Sequence, residues 1–222
     1  MISKRGRGRP TKKVVERENI AQVALDIVSS QGYEALTMSR LAEKIGVSPS
    51  ALYNHVGGKT DLYALVQDLV MSEIDVEPLR RALADEITAT EAMSQWARSY
   101  RDVLAHHAPI LPHIATMPIA QSPATAEQYS MVVAVLLCGG LDQRRAIPFL
   151  IALESFIFGS ALDVNAPADI FAVPDRADDD PLKRAVASFA SATEHVEGVV
   201  NPYAEEPFLR GLEALLGVMS AG

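Results

Sequence analysis

A chain of 222 residues, 49% of them apolar, can bury a sizeable core, as one large domain or as a small domain joined to a larger one. The single cysteine, Cys138, excludes an intrachain disulfide and fits a reducing cytoplasm; no apolar run approaches the roughly 18–20 residues of a membrane span, and the basic N-terminus lacks the apolar stretch of a secretory signal. The net charge of −8 hides an asymmetry: residues 1–60 carry 10 Lys/Arg against 5 Asp/Glu and residues 61–222 carry 10 against 23, so only the first part is suited to meet a polyanion.

Residues 1–15 are basic and Gly-containing and read as a flexible arm. From Glu18 the pattern turns helical, with Ile20, Val23, Ala24, Ile27 and Val28 on one face and Gly32 placed to end the helix. Tyr33 can fold back on that end. Thr37 can cap a second helix, whose buried face is Leu41, Ala42 and Ile45 and whose stop is Gly46. Ser48 caps a third helix of about two turns, with Pro49 at the first position, where a missing N–H costs nothing. A fourth helix runs from about Lys59 to Ile74.

The rest reads as further helices. Thr88 and Glu91 form a capping-box pattern before Met93, Trp96, Ala97, Tyr100 and Leu104. Prolines 109, 112 and 118 break up residues 108–121. Ser122-Pro123 restarts a helix ending at Gly139-Gly140; its β-branched run at 131–138 permits a strand on local propensity, but its length and helical neighbours favour helix. Residues 143–163 form a long helix, 164–181 a mobile loop with an acidic run, and Asp180-Pro181 and Asn201-Pro202 start the last two helices, about 181–196 and 203–219.

Ser50, Tyr53 and Asn54 share one face of the third helix, and Leu52 and Val56 lie on the other. A helix this short is held by its neighbours, and it offers a polar strip that fits the major groove. At this point residues 18–65 resemble the DNA-binding domain of the TetR family of bacterial transcriptional repressors. The resemblance rests on the amphipathic first helix, Gly32-Tyr33 before Thr37, the stretch LAEKIGVSPSALYNHV at 41–56, and Lys59 followed by Asp61-Leu62. Tyr53-Asn54-His55-Val56 is similar to the tetracycline-repressor branch. The resemblance implies that Thr37 and Ser39 touch phosphates, that Pro49, Ser50, Ala51 and Asn54 face bases, and that Tyr53, His55 and Lys59 grip the backbone. Phosphate contacts set register and base contacts choose sequence. Gly57-Gly58 departs from the bulkier residues common there, though their backbone N–H groups could meet phosphate. Each role has an alternative: Tyr53 packed on the fourth helix, His55 structural, Ser48 a cap rather than a reader. Arg7 and Arg9 flank a Gly in an arm that either enters a narrow minor groove or tethers to any polyanion.

The expected fold is all-α: an arm at 1–15, a three-helix helix-turn-helix domain at 16–62 and a larger helical domain at 63–222 for effector binding and dimerisation. The resemblance implies a homodimer through late helices, with Phe149, Leu153, Phe156, Phe208, Leu212 and Leu215 near the interface, and protomer core is the alternative for each. Trp96, Tyr100, His113, Met117, Tyr129, Val133, Leu137 and Phe158 could line a largely apolar pocket for a small-molecule effector, with core packing as the alternative. His106, His107 and His113 suggest a metal, but prolines 109 and 112 and the lack of an acidic or cysteine partner at ligand spacing argue against it, so no metal and no cofactor is expected.

The leading function is a ligand-responsive, cytoplasmic homodimeric repressor on a double-stranded, near-palindromic DNA operator, with no membrane partner. A helical enzyme with a basic segment is the rival, and it lacks a nucleophile motif, a phosphate loop and metal spacing. Its paired carboxylates Glu205-Glu206 read as solvated surface. A DNA-binding activator without an inducer is the third reading.

Overall fold

The computed structural model describes residues 16–167, 169–174, 180–193 and 201–219. The arm, with Arg7 and Arg9, lies outside them, as does most of the acidic run. Among the described residues all regular structure is helical. The chain divides into two compact units, the first running to Leu69 and the second from Val70.

In the first unit, α1 (Arg17–Gln31) buries Ile20, Ala21, Ala24, Leu25, Ile27 and Val28. The Gly32 N–H closes it on the Val28 carbonyl at 2.8 Å. α2 (Met38–Ile45) starts where Thr37 Oγ1 accepts the Arg40 N–H at 3.2 Å. It stops at Gly46, whose φ of 81° and ψ of 38° are left-handed, a conformation that costs a side-chain-bearing residue about 1–2 kcal/mol. α3 (Pro49–Leu52) is shorter than the two turns expected from sequence. Beyond Leu52 the chain continues as hydrogen-bonded turns, with both the His55 and Val56 N–H groups on the Leu52 carbonyl. The glycines at 57 and 58 leave nothing to extend the helix. α4 (Lys59–Ser72) follows.

The second unit opens with α5 (Glu77–Leu83), which the sequence pattern did not bring out. Its start is set by Asp75 Oδ1, which accepts the Glu77 N–H at 2.9 Å, and by Pro78 in the first turn. α6 (Ala89–His106) begins at the Thr88 cap and is the centre of the unit, in contact with α5 and with the later helices α8 (Pro123–Cys138), α9 (Gln143–Val164) and α11 (Pro202–Leu216). Its residues Met93, Trp96, Tyr100 and Leu104 are fully buried. The short α7 (Leu111–Ile114) and two 3-10 turns fill the proline-broken segment. The β-branched run at 131–138 is helix: Val132, Val135 and Leu136 are buried while Leu137 is exposed, the spacing of a helical face. α10 (Pro181–Thr193) completes the set.

Glycine spacing matters once more, at Gly211 in α11. A Cβ there would come within 2.5 Å of the Phe156 ring, so α11 meets α9 closely because that position is bare. Phe156 then stacks on Phe208 at 5.6 Å between centroids. Arg101 lies under the same ring, 4.1 Å away, and its Nη2 pairs with Glu205 Oε2 at 2.7 Å. Glu205 is therefore a half-buried structural partner and not the solvated carboxylate expected from sequence. The reason is a contact 104 positions away in the chain, between α6 and α11.

The expectation that no apolar stretch reaches membrane-span length is also corrected. α9, 22 residues long, is long and apolar enough to cross a membrane by length and composition. It packs against α6, α8 and α11.

Candidate nucleic-acid interface and effector cluster

The turn before α3 is set by Ser48. Its Oγ accepts the Ala51 N–H at 3.2 Å and lies 3.1 Å from Ser50 Oγ. Leu52 and Val56 are buried to 0% and 1% and hold the element on its support. Pro49, Ser50, Tyr53 and Asn54 are exposed, and Ala51 and His55 are half-buried. A hydrogen bond from Arg17 Nη1 to the His55 carbonyl, at 3.1 Å, ties the start of α1 to the end of this turn. The outward strip thus combines hydroxyl, phenol and amide groups, the types that read base edges and phosphates.

Lys59 opens α4 with its ammonium 5.3 Å from the Tyr63 ring centroid and 5.9 Å from that of Tyr33. The two rings stack at 4.2 Å. Burial, and then the charge of Glu34, push the Tyr33 hydroxyl well above its ordinary range, so it stays a neutral phenol. Tyr33 therefore packs across to α4 and gives Lys59 a π-face to lean on, which lowers the entropy lost when the exposed ammonium meets an anion. The Gly57 N–H, open to a phosphate on the sequence reading, is taken by Asp61 Oδ2 at 2.9 Å. Asp61 sits in the first turn of α4 and satisfies the free donor there. Thr37, Ser39 and Arg40 are exposed around the start of α2. Arg40 is a further exposed cation there, beside the Thr37 cap.

In the second unit, four of the eight pocket residues come together. Tyr100 lies 5.3 Å from Trp96 and 6.0 Å from Phe158, ring to ring. Its hydroxyl donates to Glu154 Oε1 at 2.9 Å, and the Tyr129 hydroxyl donates to the same oxygen. Three helices, α6, α8 and α9, thereby converge on one carboxyl. Burial raises the Glu154 pKa above the ordinary carboxylate value against the opposing effect of the Tyr100 hydrogen bond, and burial beside that carboxyl raises Tyr100. Trp96 Nε1 and both amide atoms of Gln128 are buried without a hydrogen-bond partner. Glu154 and Gln128 were missed from sequence. The signal for Glu154 was its place as a carboxylate in the middle of an apolar helix. Val133 is half-buried one turn beyond Tyr129, while Leu137 is exposed at the far end of α8. His113 and Met117 are half-buried around α7. His107 is buried and its Nε2 lies 2.9 Å from Glu73 Oε2.

A separate cleft of about 450 Å³ lies between the end of α9, α10 and the start of α11, walled by Phe171, Leu182, Val186, Phe189 and Tyr203. No sequence pattern singled it out. Of the late-helix residues expected near an interface, Leu153, Phe208 and Leu212 are buried within the protomer, and Phe149, Phe156 and Leu215 are half-buried. The large apolar side chains that α9 leaves exposed are Ile147, Ile151 and Leu162.

Two family models match the chain. "Bacterial regulatory proteins, tetR family" covers residues 20–66, and "Tetracyclin repressor-like, C-terminal domain" covers residues 84–221. An uncharacterized HTH-type transcriptional regulator of Mycobacterium tuberculosis, Rv0681, is 32% identical over 179 residues, 78% of each chain. Among solved structures, BioQ with its double-stranded DNA operator aligns with a TM-score of 0.62 at 18% identity, covering 94% of this chain and 99% of that one. The Streptomyces coelicolor protein ActR in complex with (S)-DNPA aligns with a TM-score of 0.68 at 24% identity, covering 94% and 98%. At those identities the structural likeness establishes the fold.

Proposed function

We infer the finer function from one premise: the chain belongs to the tetR family of bacterial regulatory proteins and is a DNA-binding transcriptional regulator, not an enzyme. It is a cytoplasmic, homodimeric repressor whose two reading heads engage the inverted half-sites of an operator, and a small molecule in the second unit releases it. The observation that carries this reading is the exposed Ser50–Tyr53–Asn54 strip on a turn capped by Ser48 and backed by buried Leu52 and Val56. Pro49, Ser50, Ala51 and Asn54 face bases. Thr37, Ser39, Tyr53, His55 and Lys59 hold phosphates, and Arg7 and Arg9 in the arm add to the electrostatic grip.

Dimerisation is supported by α9. Ile147, Ile151 and Leu162 are spaced by 4 and 11 residues, so they form one stripe along the helix, each more than half exposed. An exposed apolar stripe on a protomer marks a surface that another copy can cover. Effector release is supported by the polar cluster within α6, α8 and α9 and by the bound small molecule of ActR. An effector favouring the arrangement that does not fit DNA shifts the population in proportion to its differential affinity.

Footprinting on DNA flanking the protein's own gene tests the reading. Two protected half-sites related by inversion are expected, and an effector added at saturation removes the protection. A single protected half-site, or protection that no compound alters across a broad panel, would sink the dimeric and the ligand-responsive parts respectively.

A further inference from the structure

We propose that the Tyr100–Tyr129–Glu154 cluster is the recognition end of the effector site and that it selects an aromatic organic cation, such as a protonated aryl-alkylamine. The proposal rests on the reading that a small molecule controls the protein, and it names that molecule's charge and shape.

The charge follows from what surrounds Glu154. Its Oε1 accepts two phenolic hydroxyls, from Tyr100 and Tyr129. Among the described residues no Lys, Arg or His pairs with it. Even a partly buried carboxylate without a counter-charge is costly, and a cation brought beside it relieves that cost. The aromatic side chains grouped on Tyr100 strengthen the preference. Trp96, Tyr100 and Phe158 form a contiguous set, and the face of each ring is the negative end of its quadrupole. An anion entering the same place would meet a carboxyl and ring faces in a medium of low dielectric.

The shape follows from the walls and from unused hydrogen-bonding capacity. Trp96 is fully buried one turn before Tyr100 on α6, yet its Nε1–H has no acceptor. Gln128, which precedes Tyr129 in α8, is only 3% exposed, and neither its amide nitrogen nor its oxygen has a partner. Native interiors leave few such atoms unpaired. Three orphaned groups on the two helices that supply the tyrosines suit a ligand that carries polar atoms on an aromatic frame. Tyr129, Glu154 and Phe158 are each half-buried, so the cluster is partly open to solvent.

Trp96 is the only tryptophan of the chain, which makes its emission a reporter of this site in the full-length protein. Phenylbutylammonium, phenylbutanol and phenylbutanoate share a ring and chain and differ in head charge. The ammonium is expected to shift Trp96 emission at a concentration roughly ten-fold below the alcohol, and the carboxylate to give no saturable change. In Glu154→Gln the ammonium and the alcohol should come within about two-fold of each other, with the alcohol's own affinity kept as the control for folding. The proposal falls if the alcohol matches the ammonium in the wild-type protein, if the preference survives Glu154→Gln, or if none of the three moves the emission. The wild-type comparison decides the matter even where Glu154→Gln does not fold. A compound that releases the protein from DNA without touching Trp96 emission would leave effector control standing and overturn this assignment. A charge-selective site that never affects DNA binding would overturn effector control instead.

Discussion

Ser50→Ala combined with Asn54→Ala is expected to erase most of the protein's preference for its operator over unrelated DNA while leaving the fold intact. A good side-chain contact to a base edge is worth about 1–3 kcal/mol of discrimination. Losing two therefore lowers the ratio of specific to non-specific affinity by roughly 30-fold to well over a thousand-fold. The fold survives because both side chains are exposed and the helix cap is Ser48, whose Oγ keeps the Ala51 N–H. Lys59→Ala should behave differently. Its ammonium is exposed above the Tyr33–Tyr63 pair, so its loss weakens binding to all duplexes alike and lowers the salt slope by about one counterion. Fluorescence anisotropy against operator and scrambled duplexes, each at several salt concentrations, separates the two. If the double variant keeps its discrimination, bases are read elsewhere; if it loses helicity, Ser50 or Asn54 has a structural role that the exposed positions do not suggest.

Trp96→Ala carries the second large effect, on stability. The indole is fully buried against Tyr100, on the helix that packs with α5, α8, α9 and α11. Removing such a side chain leaves a cavity and costs about 3–5 kcal/mol, against a total stability on the order of 5–15 kcal/mol for a folded protein. Urea unfolding followed by circular dichroism should show the midpoint falling steeply. Trp96→Phe should recover much of the loss, since a ring remains in the space and the unpartnered Nε1–H is removed along with the indole. A midpoint unchanged in Trp96→Ala would mean that the α6 core does not hold the unit together.

The helix starts were legible because their causes are local. Thr37, Ser48-Pro49, Thr88 and Ser122-Pro123 each act within three residues of their own position, so sequence alone locates them. The outward strip of α3 was legible for the same reason, since helical spacing alone puts Ser50, Tyr53 and Asn54 together. What sequence did not carry depends on partners far along the chain. Glu154 meets Tyr129 across 25 positions and Tyr100 across 54, and nothing local to α9 marks it beyond an acid among apolar neighbours. Glu205 looked solvated because its partner Arg101 lies on another helix. Residues of the late helices shared one apolar pattern whether they fill the protomer, as Leu153 and Phe208 do, or stand outside it, as Ile151 does. Periodicity tells which face is apolar and not which surface covers it. α5 escaped because it is only 7 residues long, too short for periodicity to show.

α3 and its capped turn are expected to read a defined DNA sequence in two copies. Selection from a pool of random duplexes with the full-length protein tests it most directly. Enrichment of one sequence as an inverted repeat is expected, with half-site centres about one helical turn apart or a multiple of it, and that enrichment is lost in the Ser50→Ala, Asn54→Ala variant. A pool that stays random, or an enriched sequence that the double variant selects equally well, would contradict it.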